Sequence, residues 1–309
     1  MRIGFIGGNN LAIDFFNDFI KNNSVTEMHL LEQDIARSRN MIKLCPEIKY
    51  HVETKAFIDS IDSIIVCALH KKNNELVVEG AKRGKNIIIT NPYLLAVGSI
   101  RKLQQLESEA GITIQIGGTE KYNSAFLASK RYIKDPVFVD VARLTHYTPN
   151  NQGISVLYDL LYRDLDWVLN IINSNIRKIS ANSVSVTGSE IDFINSKLEF
   201  DNGCIANLTA SRVSELNLNK ARIYNSDSIL FVDLLNNQLK RSFKKSNHLE
   251  FEDLDFERST DRFTQFNNFY NSSKGEEEIQ ATVTGFIKTK DVLELIFDKI
   301  KAKTSPFVK

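Results

Sequence analysis

Residues near the start of the sequence have the types and spacing needed to bind a dinucleotide. Residues 2–12 read RIGFIGGNNLA and join a short apolar run to a helix-like pattern. Glycines at such a turn let the backbone approach a pyrophosphate, which the amino end of the following helix then binds. Gly7 fills the first position of the glycine fingerprint and Ala12 the third. The expected cofactor contacts here are Gly7, Gly8, Asn9, Asn10 and Leu11.

The middle glycine of this fingerprint is replaced by Asn9. Asparagine tolerates a positive φ better than most residues, but its side chain is expected to crowd the pyrophosphate. Cofactor binding therefore stays open on this motif alone, and the cofactor could have been lost.

A carboxylate follows at the end of the next apolar run. Glu32 lies 25 residues after Gly7, where an acid would hydrogen-bond the adenosine ribose and repel a 2′-phosphate. The position therefore favours NAD over NADP. The alternative is that Glu32 is only the polar end of a strand.

These residues fall at the junctions of a regular alternation of elements. Continuous apolar runs separated by amphipathic helices are typical of a parallel sheet covered on both faces. We predict a doubly wound Rossmann domain over residues 1–118, with its ligand at the carboxyl ends of the strands. The predicted strands are 1–6, 28–31, 63–68, 86–90 and 113–117, and the predicted helices are 11–21, 35–44, 75–83 and 100–110.

The pattern changes after residue 118. We predict that residues 119–309 form an α+β substrate domain with a large, open, mostly antiparallel sheet. One face should carry a helix, and the other face should be solvated or covered in a homo-oligomer. The predicted strands are 137–145, 176–186, 191–200, 204–212, 221–224, 229–234 and 238–243; the predicted helices are 155–172 and 279–300, and 256–274 is predicted as a loop.

Composition excludes several classes of function. The net charge of +1 provides no basic field for nucleic acid or anionic lipid. No apolar run approaches the roughly 20 residues of a membrane span. The three cysteines, Cys45, Cys67 and Cys204, are widely spaced, which argues against a disulfide framework or a metal site. We expect a cytoplasmic protein.

Four later segments contain recognisable motifs. Residues 74–92 combine a helix, a Gly-Lys turn and a strand ending in Thr90-Asn91-Pro92, and residues 117–123 read GGTEKYN. Residues 159–166 read DLLYRDLD, and residues 200–212 read FDNGCIANLTASR. In this order they resemble the Gfo/Idh/MocA family of sugar oxidoreductases. The hairpin at 204–215 is most similar to members that oxidise UDP-N-acetylglucosamine at the 3-position for lipid A synthesis.

The resemblance implies an NAD(P)-dependent oxidoreductase acting on a sugar or nucleotide sugar. It also implies further cofactor contacts at Ala68, Leu69, Asn73, Thr90, Pro92 and Lys121. The family's Glu-Lys-Pro lysine is Asn91 here, and the histidine of its Asp-x-Gly-x-His-x-x-Asp helix is Arg163. Neither side chain accepts a proton near neutral pH, although Arg163 would suit a carboxylate or a diphosphate.

Three interpretations stay open. The chain is an oxidoreductase in which Asp159, Tyr162, Asp166 or His146 supplies the missing acid or base. Alternatively, it is a degenerate relative that binds cofactor or nucleotide sugar, or a partner subunit in a hetero-oligomer. The structural alternatives are that Asp166 pairs with Arg163 three residues away, that Asp159 caps locally and that His146 has no role.

Overall fold

The computed structural model describes residues 1–19, 24–32, 34–67, 73–92, 95, 97–148 and 153–304. Packing divides the chain into two compact units. The first comprises Met1–Thr119 and Asp261–Phe286, and the second comprises Glu120–Thr260 and the chain from Ile287 onwards. The sequence-based division placed every residue after 118 in the second domain, whereas residues 261–286 pack with the first unit.

The first unit contains a six-stranded parallel sheet, which confirms the predicted Rossmann fold. Its strand order is β3-β2-β1-β4-β5-β6. Consecutive residues such as Ile64 and Ile65 are both fully buried, so both faces of the sheet are covered. The strands are β1 Arg2–Ile6, β2 Glu27–Leu31, β3 Lys49–His51, β4 Ser63–Val66, β5 Asn86–Ile89 and β6 Ile114–Ile116.

In the described part of residues 1–119 the helices are α1 Asn10–Phe19, α2 Ile35–Leu44, α3 Thr54–Ser60, α4 Asn73–Lys82 and α5 Val97–Ala110. Neither β3 nor α3 was predicted, because both are short. Gly4 explains how closely α3 approaches β1: a Cβ at Gly4 would lie 2.5 Å from the Phe57 ring and 2.6 Å from Ile61.

The second unit is built on an eight-stranded sheet in the order β14-β13-β12-β11-β7-β10-β9-β8. Only β7 and β10 pair in parallel, which confirms the predicted open, mostly antiparallel sheet. The strands are β7 Phe138–Leu144, β8 Ile176–Val184, β9 Phe193–Phe200, β10 Ile205–Ser211, β11 Leu218–Tyr224, β12 Ser228–Asp233, β13 Gln238–Lys245 and β14 His248–Asp253. The edge strand β14 was not predicted.

Two helices of the second unit precede and follow β7. Helix α6 covers Ser124–Ser129, and a π-helical turn at Leu157–Leu161 leads into α7, Tyr162–Ile171. Trp167 is fully buried and packs against Phe126 of α6, with ring centroids 5.1 Å apart. The predicted helix at 155–172 is thus confirmed, with a π-helical first turn.

The prediction of a loop at 256–274 is wrong, because α8 covers Asp261–Ser273. Its mean hydropathy is low, but Phe266 and Phe269 are fully buried three residues apart. The Phe266 ring lies 4.1 Å from that of Phe19 in α1. A narrow apolar stripe on a polar helix therefore escaped sequence analysis. The last helix, α9, covers Val283–Thr304, and no helix in the described ranges has the length and hydropathy to cross a bilayer.

Candidate functional site

The turn between β1 and α1 is shaped by backbone conformation. Gly7 has a φ of +93°, which favours glycine because other residues are strained there. Its N–H donates to the Leu31 carbonyl at 3.2 Å, joining the turn to the end of β2. The next residue, Gly8, donates its N–H to Glu32 Oε2 at 2.7 Å.

The Glu32 carboxylate is oriented by two backbone donors. Besides Gly8, the N–H of Asp34 donates to Glu32 Oε1 at 2.9 Å. The Tyr50 hydroxyl donates to the Glu32 carbonyl at 2.6 Å and so fixes its backbone. A carboxylate has about four lone-pair sites. The half-buried Glu32 side chain therefore keeps capacity to accept ribose hydroxyls.

Asn9 caps α1 and does not adopt a positive φ. Its Oδ1 accepts the N–H of Ala12 at 3.1 Å, and its Nδ2 donates to the Cys67 carbonyl at 3.0 Å. The backbone N–H groups of Asn10 and Leu11 have no partner among the described residues. Two donors at this helix end thus remain available for an anion.

A cavity of about 880 Å³ in the first unit opens beside this turn. This volume suits a small-molecule ligand. Its lining includes Ile6, Gly7, Leu31 and Glu32 from the strand ends, with Glu79 of α4 and Lys102 of α5.

The other cofactor residues predicted in the first unit differ in what the structure shows. Ala68 and Leu69 lie outside the described residues, and Asn73 is the first residue of α4. Thr90 donates its hydroxyl to the Val66 carbonyl at 2.8 Å, which joins the ends of β5 and β4. Asn91 follows, half-buried, and Pro92 is buried.

A buried ion pair lies in the second unit. The Lys121 Nζ is 2.9 Å from Asp166 Oδ2, and the two side chains are only 4% and 3% exposed. Thr289 donates its hydroxyl to Asp166 Oδ1 at 3.0 Å. The expectation that Asp166 pairs with Arg163 is wrong, because a partner distant in sequence holds its carboxylate. The Lys121 ammonium group, which the sequence predicts to contact the cofactor, forms an ion pair with Asp166.

A second buried cluster was missed by sequence analysis. Arg143 of β7 forms a bidentate pair with Asp164 of α7, at 2.8 and 2.7 Å. Glu120 Oε1 lies 3.3 Å from the same guanidinium. Burial opposes ionisation of Glu120, but Arg143 and Arg163 outweigh it and lower its pKa. No local spacing indicates these pairs, because their members are far apart in sequence.

Arg163 is the cation of this cluster that reaches solvent, with a side chain 36% exposed. Its Nε donates to the Asp159 carbonyl at 2.9 Å and its Nη1 to Glu120 Oε1 at 3.4 Å. Its Nη2 lies 3.8 Å from Asp159 Oδ1. Arg163 is therefore a fixed charge beside Asp159, whose side chain is 23% exposed.

Two further candidate acids or bases, Tyr162 and His146, differ in exposure. Tyr162 is buried, and burial together with the charges of Asp166 and Glu120 raises its pKa well above 10, so the phenol stays protonated. His146 is on the surface, with Nδ1 3.0 Å from the Ser214 carbonyl. Across the described residues, no three His, Cys, Asp or Glu side chains are grouped to hold a metal ion.

Comparison with known proteins places this geometry in context. Residues 1–118 match the Gfo/Idh/MocA family model, described as an oxidoreductase family with an NAD-binding Rossmann fold. The chain is 25% identical over 189 residues to UDP-N-acetylglucosamine 3-dehydrogenase of Acidithiobacillus ferrooxidans, covering 60% of this chain and 58% of the relative. It is 20% identical over 194 residues to scyllo-inositol 2-dehydrogenase (NAD(+)) of Bacillus subtilis, covering 58% and 57%. The matches span less than two thirds of both relatives.

The structural likeness to solved proteins extends over nearly the whole chain. The solved structure of UDP-N-acetylglucosamine 3-dehydrogenase GnnA from Acidithiobacillus ferrooxidans superposes with a TM-score of 0.89 at 19% identity, covering 98% of each chain. A putative myo-inositol dehydrogenase from Sinorhizobium meliloti gives a TM-score of 0.82 at 13% identity, also covering 98% of each. At these identities the likeness establishes the fold.

Proposed function

We propose that this chain, whose residues 1–118 are a domain of the Gfo/Idh/MocA family, is an NAD(P)-linked oxidoreductase of a sugar or nucleotide sugar. The observation that carries the proposal is the β1–α1 turn with its oriented Glu32 carboxylate beside an 880 Å³ cavity. Since an ionised Glu32 would repel a 2′-phosphate, we propose NAD as the preferred cofactor.

The chemistry requires a hydride acceptor and a group that takes the hydroxyl proton. The bound nicotinamide supplies the first. Of the proposed catalytic residues, we assign the second role to Asp159, because its carboxylate is partly exposed whereas Tyr162 and Asp166 are buried. Asn91 can donate a hydrogen bond to a sugar oxygen but cannot accept a proton. Tyr162 and Asp166 are buried, and Asp166 is paired with Lys121.

The names of two relatives support a substrate class. Their names specify UDP-N-acetylglucosamine and scyllo-inositol, both polyhydroxylated. We propose a nucleotide sugar of cell-envelope synthesis, in the manner of lipid A precursors, handled in the cytoplasm. We also propose a homo-oligomer formed through the open face of the eight-stranded sheet. Phe138, Tyr224 and Ile229 lie in one register row of that sheet.

The first test is a titration of the purified protein with NADH and NADPH, followed by nicotinamide fluorescence. Saturable binding that is tighter for NADH is expected, followed by turnover with UDP-N-acetylglucosamine or scyllo-inositol and NAD. Absence of binding for both cofactors up to millimolar concentration would contradict the oxidoreductase proposal.

A second candidate is a catalytically degenerate relative that binds cofactor or nucleotide sugar as a partner subunit. It is favoured by the replacements at Asn91 and Arg163 and by the pairing of Lys121 with Asp166. The double variant Asn91→Lys/Arg163→His separates the two candidates. Turnover by the wild-type chain supports the enzyme. Turnover gained only by the double variant supports the degenerate relative.

A further inference from the structure

We infer that Asn9 positions the loop that receives the cofactor's diphosphate and does not obstruct it. The inference rests on the proposed function, since it concerns the same nucleotide site. The glycine pattern places a residue without a side chain at position 9, because backbone must approach the pyrophosphate there. The contacts of Asn9 show how this chain accommodates a side chain at that position.

Both polar atoms of the Asn9 side chain are bound within the protein. Nδ2 donates to the Cys67 carbonyl at 3.0 Å, just beyond the end of β4. Oδ1 accepts the Ala12 N–H at 3.1 Å, in the first turn of α1. A side chain held at both atoms has a defined direction, towards β4 and back onto its own helix.

The other flank of the turn is held as well. Gly8 donates to Glu32 Oε2 at 2.7 Å, and Gly7 donates to the Leu31 carbonyl at 3.2 Å. In the sheet, β1 lies between β2 and β4. Asn9 therefore links the turn to one neighbouring strand end, while Gly7 and Glu32 link it to the other.

This arrangement leaves suitable donors for an anion. Asn9 satisfies the Ala12 N–H, while the N–H groups of Asn10 and Leu11 have no partner in the described part of the chain. Two backbone donors at the positive end of a helix match a diphosphate oxygen. The Ala12 N–H is shared between the Asn9 carbonyl at 3.0 Å and Asn9 Oδ1 at 3.1 Å, so the side chain adds a second acceptor to this donor and leaves those of Asn10 and Leu11 to the ligand.

The bond to Cys67 also bears on a second segment. Cys67 directly precedes Ala68 and Leu69, the positions where the sequence predicts further cofactor contacts. The bond fixes the Cys67 carbonyl, directly after the last residue of β4. Ordering the turn and this strand end before the ligand arrives lowers the entropy that binding must remove, so affinity should depend on this bond.

The test compares wild type with Asn9→Gly, which restores the glycine pattern, and Asn9→Ser, which keeps a capping oxygen but has no amide donor for Cys67. Dissociation constants are measured for NADH by fluorescence and for ADP-ribose and adenosine by competition. Both variants are expected to bind NADH and ADP-ribose about fivefold more weakly, the worth of one net hydrogen bond. Adenosine, which has no phosphate, should bind as it does to wild type.

Tighter NADH binding by Asn9→Gly would overturn the inference, because Asn9 would then be an obstruction. An equal loss for adenosine, with a lower thermal midpoint, would also overturn it, because Asn9 would then only stabilise the fold. Failure of the wild type to bind NADH or ADP-ribose is a separate result. It would overturn the proposed function and the inference with it.

Discussion

At the β1–α1 turn, backbone N–H groups and one carboxylate remain available, whereas at α7 most charges are paired with one another. Asn10 and Leu11 have no partner for their N–H groups in the described chain, and the Glu32 carboxylate accepts the backbone N–H groups of Gly8 and Asp34. By contrast, Lys121 is neutralised by Asp166. The first region has polar groups that can bind a ligand, whereas the second region uses its charged groups in buried ion pairs.

This difference indicates that substitutions in the first region should affect ligand binding, and substitutions in the second should affect stability. A ligand-binding group that contacts only backbone can be removed at small cost to stability. A buried charge cannot, because its partner would be left unpaired in a medium of low polarity. Cofactor affinity and stability should therefore respond to different residues.

The largest effect is expected from Lys121→Met, which leaves the buried Asp166 carboxylate without its ion-pair partner. We expect the free energy of unfolding to fall by about 3 kcal/mol, measured by urea unfolding. The control is Lys245→Met, because the Lys245–Glu250 pair is 67% and 44% exposed and should contribute less than about 1 kcal/mol. If Lys121→Met lowers the free energy of unfolding no more than Lys245→Met does, the buried pair is not important for stability and the contrast between the two regions is wrong.

The next largest effect is expected from Glu32→Ala. Loss of a charged acceptor should weaken NADH binding by roughly 10- to 100-fold, with NADPH affected less because a repulsive charge is also removed. Fluorescence titration measures both affinities, and Glu109→Ala is the control from an exposed site in the same unit. If the unfolding midpoint of Glu32→Ala is close to that of wild type, Glu32 affects binding without affecting stability, in contrast to Lys121. An unchanged NADH affinity would show that Glu32 is only a strand end.

A smaller effect is expected from Gly8→Ala. The added Cβ would lie 3.0 Å from Met41 Cγ and 3.4 Å from Glu32 Oε2. Because Met41 is flexible, we expect the protein to fold and to bind NADH about fivefold more weakly as Glu32 is displaced. Gly188→Ala is the control, since a Cβ there meets nothing within 4 Å and Gly188 does not line the cavity. Equal affinities for the two variants would mean that the position of Glu32 does not matter.

The smallest effect is a pH dependence confined to the first unit. His29 Nδ1 lies 2.8 Å from His51 Nε2, with Glu27 and Lys49 alongside. Burial is the main cause that lowers the pKa of both histidines below 6.5. A depressed histidine pKa stabilises the fold above pH 6.5, and this contribution is lost as pH falls through the folded-state value.

Stability should therefore decrease more steeply from pH 7 to pH 5 in wild type than in His51→Gln. Thermal unfolding across this range measures the difference. NADH affinity should fall in parallel, because His51 neighbours Tyr50, whose hydroxyl holds the Glu32 carbonyl. Identical slopes for the two proteins would exclude the histidine pair as the source.

Sequence patterns predicted the elements with strong periodicity and missed those defined by tertiary contacts. The buried parallel strands were recognisable because consecutive apolar residues need two covered faces. Helix α8 was not recognised, because its buried stripe of Phe266 and Phe269 interrupts a polar surface. The short β3 and α3 contain too few residues for a period to emerge.

At the site, position along a strand was informative, but side-chain pairing was not. Glu32 could be placed beside the glycine turn because the end of the second strand faces the same edge as that turn. The Arg143–Asp164 pair joins β7 to α7, and no periodic spacing along the chain predicts a contact between these two residues. Likewise, Asp166 pairs with Lys121, which is distant in sequence, and not with Arg163, which the local spacing favours.

The return of residues 261–286 to the first unit has a consequence for the order of events on the ribosome. The Phe19 ring packs on Phe266, so α1 lacks this partner until α8 has been synthesised. Residues 120–260 intervene, and at about 5–20 residues per second their translation occupies roughly 7 to 28 s. During that interval Phe19 lacks the ring that covers it in the folded protein. The first unit, although its sheet is encoded first, is therefore expected to be completed late.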